Sequence, residues 1–240
     1  MKKLILFFLL LLQSVAFSQT YLIDYNAKFD LGGKLSQPIE QKLELQISGP
    51  NSISKKYLIT GLNSNAIKTS GNKIVKIGSD TLKYFKNFNE NKLYSEEKIY
   101  NKVFNVKDDL NIFEWEITSD TITILNHICY KATTTFRGRN YEAFFAKDIP
   151  ITDGPMKFNG LPGLILKVKL IDGQAIFETV ATKVEINTAN VVIKNPYTSS
   201  MPFTEYKEKY IKKITELQSY YAGSGTTIGT NGLEILIFDE

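Results

Sequence analysis

One cysteine, one histidine and one tryptophan serve a chain of 240 residues, and each scarcity narrows the chemistry. Cys129 has no partner for an internal disulfide, so stability has to come from packing, and the lone thiol reads as a small core hydrophobe. His127 lies two residues away, a spacing that puts both on one side of a strand and makes a histidine–cysteine pair conceivable. One imidazole and one thiolate fall short of a zinc ligand set, and no nucleophile-elbow sequence supports a triad built on His127. The plainer reading is a turn histidine beside a core cysteine. Calcium-loop, phosphate-loop and dinucleotide patterns are missing, so no metal and no cofactor is expected. Net charge is small, +4, which points away from nucleic acid and from a membrane surface as partners. Internal repeats, low-complexity tracts and a clear domain linker are also lacking.

Long apolar runs are confined to the start. Leu4 to Leu12 is uninterrupted, follows Lys2-Lys3, and leads to Ala16-Phe17-Ser18, which places small residues at the −3 and −1 positions of a cut before Gln19. This is the pattern of a secretory signal peptide over residues 1–18. A membrane helix needs about 20 apolar residues. No cysteine follows the cut to carry a lipid, so a secreted or periplasmic protein with no membrane span in its mature part is expected. Residues 19–240 are expected to form a single β-rich domain, with net charge +2 once Lys2 and Lys3 are removed.

What the chain has in quantity is short segments of alternating or β-branched residues between turn signals. Tyr21–Phe29, Leu43–Ile47, Lys56–Ile59, Lys73–Ile77 and Leu82–Phe88 read as strands. Gly32-Gly33, Gly49-Pro50-Asn51, Asn63-Ser64-Asn65, Gly71-Asn72 and Gly78-Ser79-Asp80 separate them. Lys92–Val106 holds two more, with a break near Asn101. Ile112–Ile117, Thr121–Leu125, Ile128–Phe136 and Tyr141–Ala146 follow, with Arg137-Gly138-Arg139-Asn140 as a tight hairpin needing φ > 0 at Gly138. Leu164–Leu170 and Ala175–Ile186 form a hairpin around Asp172-Gly173, and Val191–Ile193 adds an edge. One helix is expected, over about 202–222. Its apolar face is Phe203, Tyr206, Tyr210, Ile214, Leu217 and Tyr221, with Thr204 as cap, Gly223 as stop, and Glu205–Lys209 and Glu208–Lys212 as i, i+4 pairs. Asn231-Gly232 and Leu233–Phe238 suggest a terminal strand. The expected fold is mainly β: an antiparallel, strongly curved sheet or partly closed barrel, with one helix covering an opening or a face.

Gly160-Leu161-Pro162-Gly163-Leu164-Ile165 is the most specific motif. A helix rejects two glycines and a proline so close together, whereas a turn feeding a buried strand accepts them. With Cys129, Ala132, Arg137-Gly138-Arg139, Tyr141, Ala143, Pro150, Gly154-Pro155 and Phe158 in order ahead of it, the chain resembles the GLPGLI family, exported bacterial proteins with no established biochemical activity. The likeness is concentrated in residues 126–170. Phe144 stands where the family often has Trp, and Met156 where an aromatic often follows Gly-Pro; both keep apolar bulk. In architecture, the run of hairpins, Trp115 on a central strand and the Cys129 strand are similar to periplasmic lipoprotein-carrier half-barrels.

The candidate site is the glycine–proline loop with the hairpin before it: Arg137, Arg139, Pro150, Gly154, Pro155, Gly160, Leu161, Pro162 and Gly163. The loop lies between two strands near a barrel mouth, where binding residues concentrate. Turning a corner explains the same residues equally well. Arg137 and Arg139 suit an anion, an exposed charged hairpin tip, or a salt bridge to Asp148 or Glu142. Asp148 with Asp153, and Asp108-Asp109, are the carboxylate pairs that acid–base catalysis would need. Three readings follow. The leading one is a non-catalytic binding protein whose curved sheet encloses an apolar or amphiphilic ligand, lined from 15 Phe, 13 Tyr and 1 Trp. The second is an interaction module with an outer-membrane transport partner, and the third a hydrolase built on His127 or paired acids.

Overall fold

One pairing decides the shape of the sheet: its first strand, Thr20–Asp30, pairs with the last long strand, Ile176–Asn187, as well as with its sequence neighbour. The computed structural model describes residues 19–30, 38–58, 67–68, 74–75, 82–99, 102–171, 176–189 and 191–222. The long strands are β1 (Thr20–Asp30), β2 (Ile39–Ser48), β3 (Asn51–Leu58), β6 (Leu82–Asn87), β7 (Lys92–Ile99), β8 (Lys102–Asp109), β9 (Glu116–Ile124), β10 (His127–Phe136), β11 (Arg139–Ala146), β12 (Leu164–Leu170) and β13 (Ile176–Asn187). Ile67–Lys68 (β4) and Ile74–Val75 (β5) form a separate two-stranded ladder, and Met201–Pro202 (β14) leads into α1 (Phe203–Tyr220). The main sheet has twelve strands in the order β14-β8-β7-β6-β3-β2-β1-β13-β12-β11-β10-β9. Two meanders, β1 to β8 and β9 to β13, meet along the β1–β13 seam, whose register runs from Thr20 opposite Asn187 to Asp30 opposite Ile176.

Alternation sets one face inward. Ile23, Tyr25, Ala27 and Phe29 on β1 are buried, as are Leu43, Leu45 and Ile47 on β2 and Phe177 and Ala181 on β13. The sheet curls around this face. Its two edges lie at β14 and β9, and the chain itself bridges the gap, because β8 and β9 are consecutive in sequence but at opposite ends of the sheet. Leu110 in this bridge is buried, and Phe113 packs on Phe136 at 4.4 Å and on Phe158 at 5.3 Å. Arg137, at the β10–β11 turn, reaches across the same gap to Asp108 on β8 at 2.6 Å.

The C-terminal segment hooks around the β8 edge. After β13 it crosses the outer face, where Asn51 donates to the Ile193 carbonyl at 3.0 Å and Tyr197 stacks on Tyr94 at 6.3 Å and donates to the Lys83 carbonyl. β14 then runs parallel to β8. α1 turns back onto the inner face, burying Tyr206 and Ile214 and packing on Ile99, Phe104 and Val106.

The expected mainly-β curled sheet with one helix is what forms, with differences that have physical causes. β14 pairs parallel to β8, so the sheet is mixed rather than wholly antiparallel. Trp115 is on no central strand: residues 111–115 have no strand pairing, and β9, which starts at Glu116, is an edge. The alternation of 112–115 reflects aromatic contacts under the gap rather than a ladder, and only Glu116 and Ile117 of that stretch are paired, in β9. Val191–Ile193 adds no strand but lies over the sheet. Pro202 is the N-cap residue of α1, with no side-chain cap bond, so Thr204 does not cap it. Gly138 has φ 73° and Arg137 φ 46°, the two positive values of a type I′ hairpin. Residues 1–18, the turns at Gly32-Gly33, Asn63-Ser64-Asn65, Gly71-Asn72, Gly78-Ser79-Asp80 and Asp172-Gly173, Gly223, Asn231-Gly232 and the Leu233–Phe238 strand lie outside the described residues.

Candidate functional site

The loop between β11 and β12 folds inward and fills the curl. Its backbone is held by an Asp153–Asn159 bridge and by bonds from Gly160 N–H to the Thr152 carbonyl, Leu164 N–H to the Ile149 carbonyl and Ile165 N–H to the Asp153 carbonyl. Residues 153–159 are all buried. Phe158 packs among Phe113, Tyr141 and Phe177 at 5.1 to 5.9 Å. Two strands of the opposite limb and the β8–β9 connection hold this plug and the start of β12. Tyr25 donates to the Ile165 carbonyl at 2.8 Å, Met156 N–H donates to Ser54 Oγ at 3.2 Å, and Trp115 Nε1 donates to the Asn159 carbonyl at 2.8 Å.

At the plug's centre Lys86 Nζ, on β6, lies 2.5 Å from Asp153 Oδ1, both side chains at 0% exposure. It also donates to the carbonyls of Gly154 and Phe158, at 2.8 and 2.9 Å. Three acceptors saturate the ammonium. Burial lowers the Lys86 pKa while Asp153 opposes that shift, and burial raises Tyr25, with Asp153 adding to it. A buried pair so enclosed fixes the loop's position more than it adds net stability. Sequence alone gave no signal for Lys86, which sits in a strand of ordinary alternation.

The expected site residues divide by exposure. Gly154, Pro155, Leu161 and Gly163 are buried, and Pro150, Gly160 and Pro162 are exposed. A Cβ on Gly163 would stand 2.3 Å from the Ala146 carbonyl oxygen, and one on Gly154 would stand 2.7 Å from Ile165 Cβ. Gly160, with φ 92°, lies against Trp115. These glycines permit close approach of backbone to backbone and ring, a packing role. Arg139 is buried. Arg137 pairs with Asp108, and its guanidinium lies 3.3 Å from the Phe203 ring centroid and 4.7 Å from that of Phe136. The expected partners Asp148 and Glu142 are engaged elsewhere, by His127 at 2.6 Å and Lys131 at 2.6 Å.

Of the expected catalytic groupings, His127 does take an acidic partner, Asp148, but the carboxylate pair Asp148 and Asp153 does not come together. Asp153 is neutralised inside by Lys86, whereas Asp148 is on the surface with His127. Cys129 Sγ donates to the backbone carbonyl of His127 at 3.5 Å, and burial pushes its pKa up to about 11, the reverse of an activated thiol. Among the described residues no cluster of three or more His, Cys, Asp or Glu side chains could hold a metal ion.

A broad depression lies beside α1. A groove of about 760 Å³ runs between the helix and the β7–β8 hairpin. Ile99, Phe104 and Met201 form its apolar floor, and Lys102, Lys209, Lys212 and Lys213 face Glu205 and Glu216 around it. Its volume is in the range of small-molecule sites. A smaller recess of about 390 Å³ between Glu114, Glu116 and Thr133–Thr135 is mainly polar in its lining residues. The groove was not legible beforehand. Of its helix lysines, Lys209 and Lys212 read only as i, i+4 partners of glutamates, Lys213 had no reading, and its floor comes from three separate elements.

Residues 136–167, from the β10–β11 turn through the plug into β12, match a family described as Protein of unknown function (Porph_ging). No functionally curated protein matches the sequence. Among solved structures, PNGF-II in two space groups overlays with a TM-score of 0.52 at 18% identity, over 82% of this chain. This chain spans about a third of the length of PNGF-II (33% and 34%), and the likeness is one of fold. A LolA superfamily protein from Nitrosomonas europaea overlays at TM-score 0.28 and 6% identity, covering 69% of this chain and 85% of its own. A putative outer membrane lipoprotein-sorting protein domain from Vibrio parahaemolyticus does so at 0.30 and 4%, covering 72% and 87%. Among the described residues no helix is long and apolar enough to cross a membrane.

Proposed function

We propose that this chain is an exported, non-catalytic binding protein of the GLPGLI kind, cut after Ser18 and folded as one domain over 19–240. Its ligand is apolar or amphiphilic and lies in the groove between α1 and the β7–β8 hairpin. The observation that carries this reading is the groove itself, about 760 Å³ over Ile99, Phe104 and Met201. The curl of the sheet, where such a ligand was expected, is taken by the plug. The raised thiol of Cys129 and the internal neutralisation of Asp153 favour binding over catalysis. Native mass spectrometry of the protein released from its own envelope without detergent tests the reading. A constant adduct lost on denaturation is expected; a bare mass under gentle conditions counts against it.

A second reading rests on β9, nine residues at an open edge of the sheet, with Ile117 and the neighbouring Ile128 at 46% and 61% exposure. An edge that has no further strand beside it among the described residues accepts a partner's strand, as an outer-membrane transport component would offer. Crosslinking from position 119 in the intact envelope, where capture of a single defined partner is expected, tests it.

A further inference from the structure

We infer that the groove beside α1 selects single-chain amphiphiles with an anionic head, an assignment that rests on the binding role proposed above. The floor and the rim make different demands. Ile99 is buried, Phe104 and Met201 are half-buried, and all three belong to the small cluster that anchors α1. This surface can cover an alkyl chain, at about 25 cal/mol per Å² of apolar area removed from water. The rim carries four lysines against two glutamates. Two lysines are engaged within the helix: Lys209 lies 3.3 Å from Glu205 and Lys213 lies 3.5 Å from Glu216.

Lys102 and Lys212 have no carboxylate partner among the described residues. They come from different elements, β8 and α1, and both line the groove. Lys102 Nζ sits 5.1 Å from the centroid of Phe104, the ring that forms the floor. A chain laid on that ring therefore ends beside an uncompensated ammonium. The groove's net charge of +2, from these lining side chains, favours an anion over a neutral head and disfavours a cation. Lysine is a compact, mobile donor. It accepts a fatty-acid carboxylate or a phosphate monoester without the fixed geometry an arginine fork would impose.

Calorimetric titration of the purified protein tests this, using four twelve-carbon probes below their micellar concentrations: laurate, dodecyl phosphate, dodecyl maltoside and dodecyltrimethylammonium. The expected result is binding of laurate or dodecyl phosphate at least tenfold tighter than of the maltoside, with no cationic binding, and weakening as salt rises. The order of the first two identifies a carboxylate or a phosphate head. In the variant Lys102→Glu/Lys212→Glu, both positions being solvent-exposed, anion affinity should fall at least tenfold while the maltoside is unaffected. Equal affinity for maltoside and laurate overturns the head-group assignment and leaves the binding role intact. Unchanged laurate affinity in the variant overturns the placement in this groove. Failure of all four probes removes both the assignment and the binding role. A dimer that the variant abolishes gives the groove to a second copy of the chain and overturns the assignment.

Discussion

Lys86 and Asp153 meet 2.5 Å apart with neither side chain exposed to solvent, one from β6 and the other from the inserted loop. Removing one partner leaves the other charged and buried. Asp153→Ala should cost about 3–5 kcal/mol, read by urea denaturation. Lys86→Met/Asp153→Leu should recover about 2 kcal/mol of that loss. Recovery stays incomplete, because the Gly154 and Phe158 carbonyls lose their donor. A double variant less stable than the single would show that the plug needs the charges themselves.

Gly163→Ala should destabilise by about 3 kcal/mol, the upper end for overpacking, because its Cβ meets the backbone oxygen of Ala146 rather than a movable side chain. Pro162→Ala, one residue away at an exposed position, should stay within about 1 kcal/mol of the parent. Melting temperatures of the pair separate a packing role for the motif from a surface role.

Arg137→Ala should loosen the start of α1. The guanidinium stacks on Phe203 and pairs with Asp108, together about 2–3 kcal/mol. Lysine at 137 should not rescue, since it lacks the planar face. Faster amide exchange over 203–210, with β1 and β13 unchanged, is the expected signature.

Lys56 gives the stability a pH dependence of known sign. Burial lowers its pKa from 10.5 to about 8, with Glu97 opposing and Lys98 adding to the shift. Between those values the unfolded chain holds more protons than the folded one, so stability rises with pH from about 8 to 10.5 and carries the full penalty below 8. Lys56→Met should therefore stabilise the protein at pH 7 and flatten the slope above pH 8. The contact of Lys56 with the Phe29 ring at 4.1 Å reduces the gain by about 1 kcal/mol. Denaturation of both proteins at pH 7, 8, 9 and 10 checks it.

The strands were legible wherever one face is dry and the other wet, as in β1, β2 and β10. The β10–β11 turn was legible because Gly138 reports a backbone requirement directly. Trp115 misled because aromatics packing beneath a gap alternate like strand residues. β14 left no trace, since two residues carry no period. The plug's glycines and prolines announced a constrained loop, but not that it turns inward. That depends on Lys86, whose partner lies far along the chain, and burial of a lysine is visible only once its acceptors are in place. The groove depends on β7, β8 and α1 coming together, so it has no local signature at all.

The seam between β1 and β13 has a consequence for assembly. A ribosome or a translocation channel delivers Thr20 long before Asn187, and until then β1 has only β2 beside it. The middle of the sheet is thus its last part to close, after a loop of most of the chain's length has been brought together. Folding should begin in the two flanking meanders and end at the centre, and a cut in the connection between β8 and β9 separates two half-sheets whose inner edges are β1 and β13.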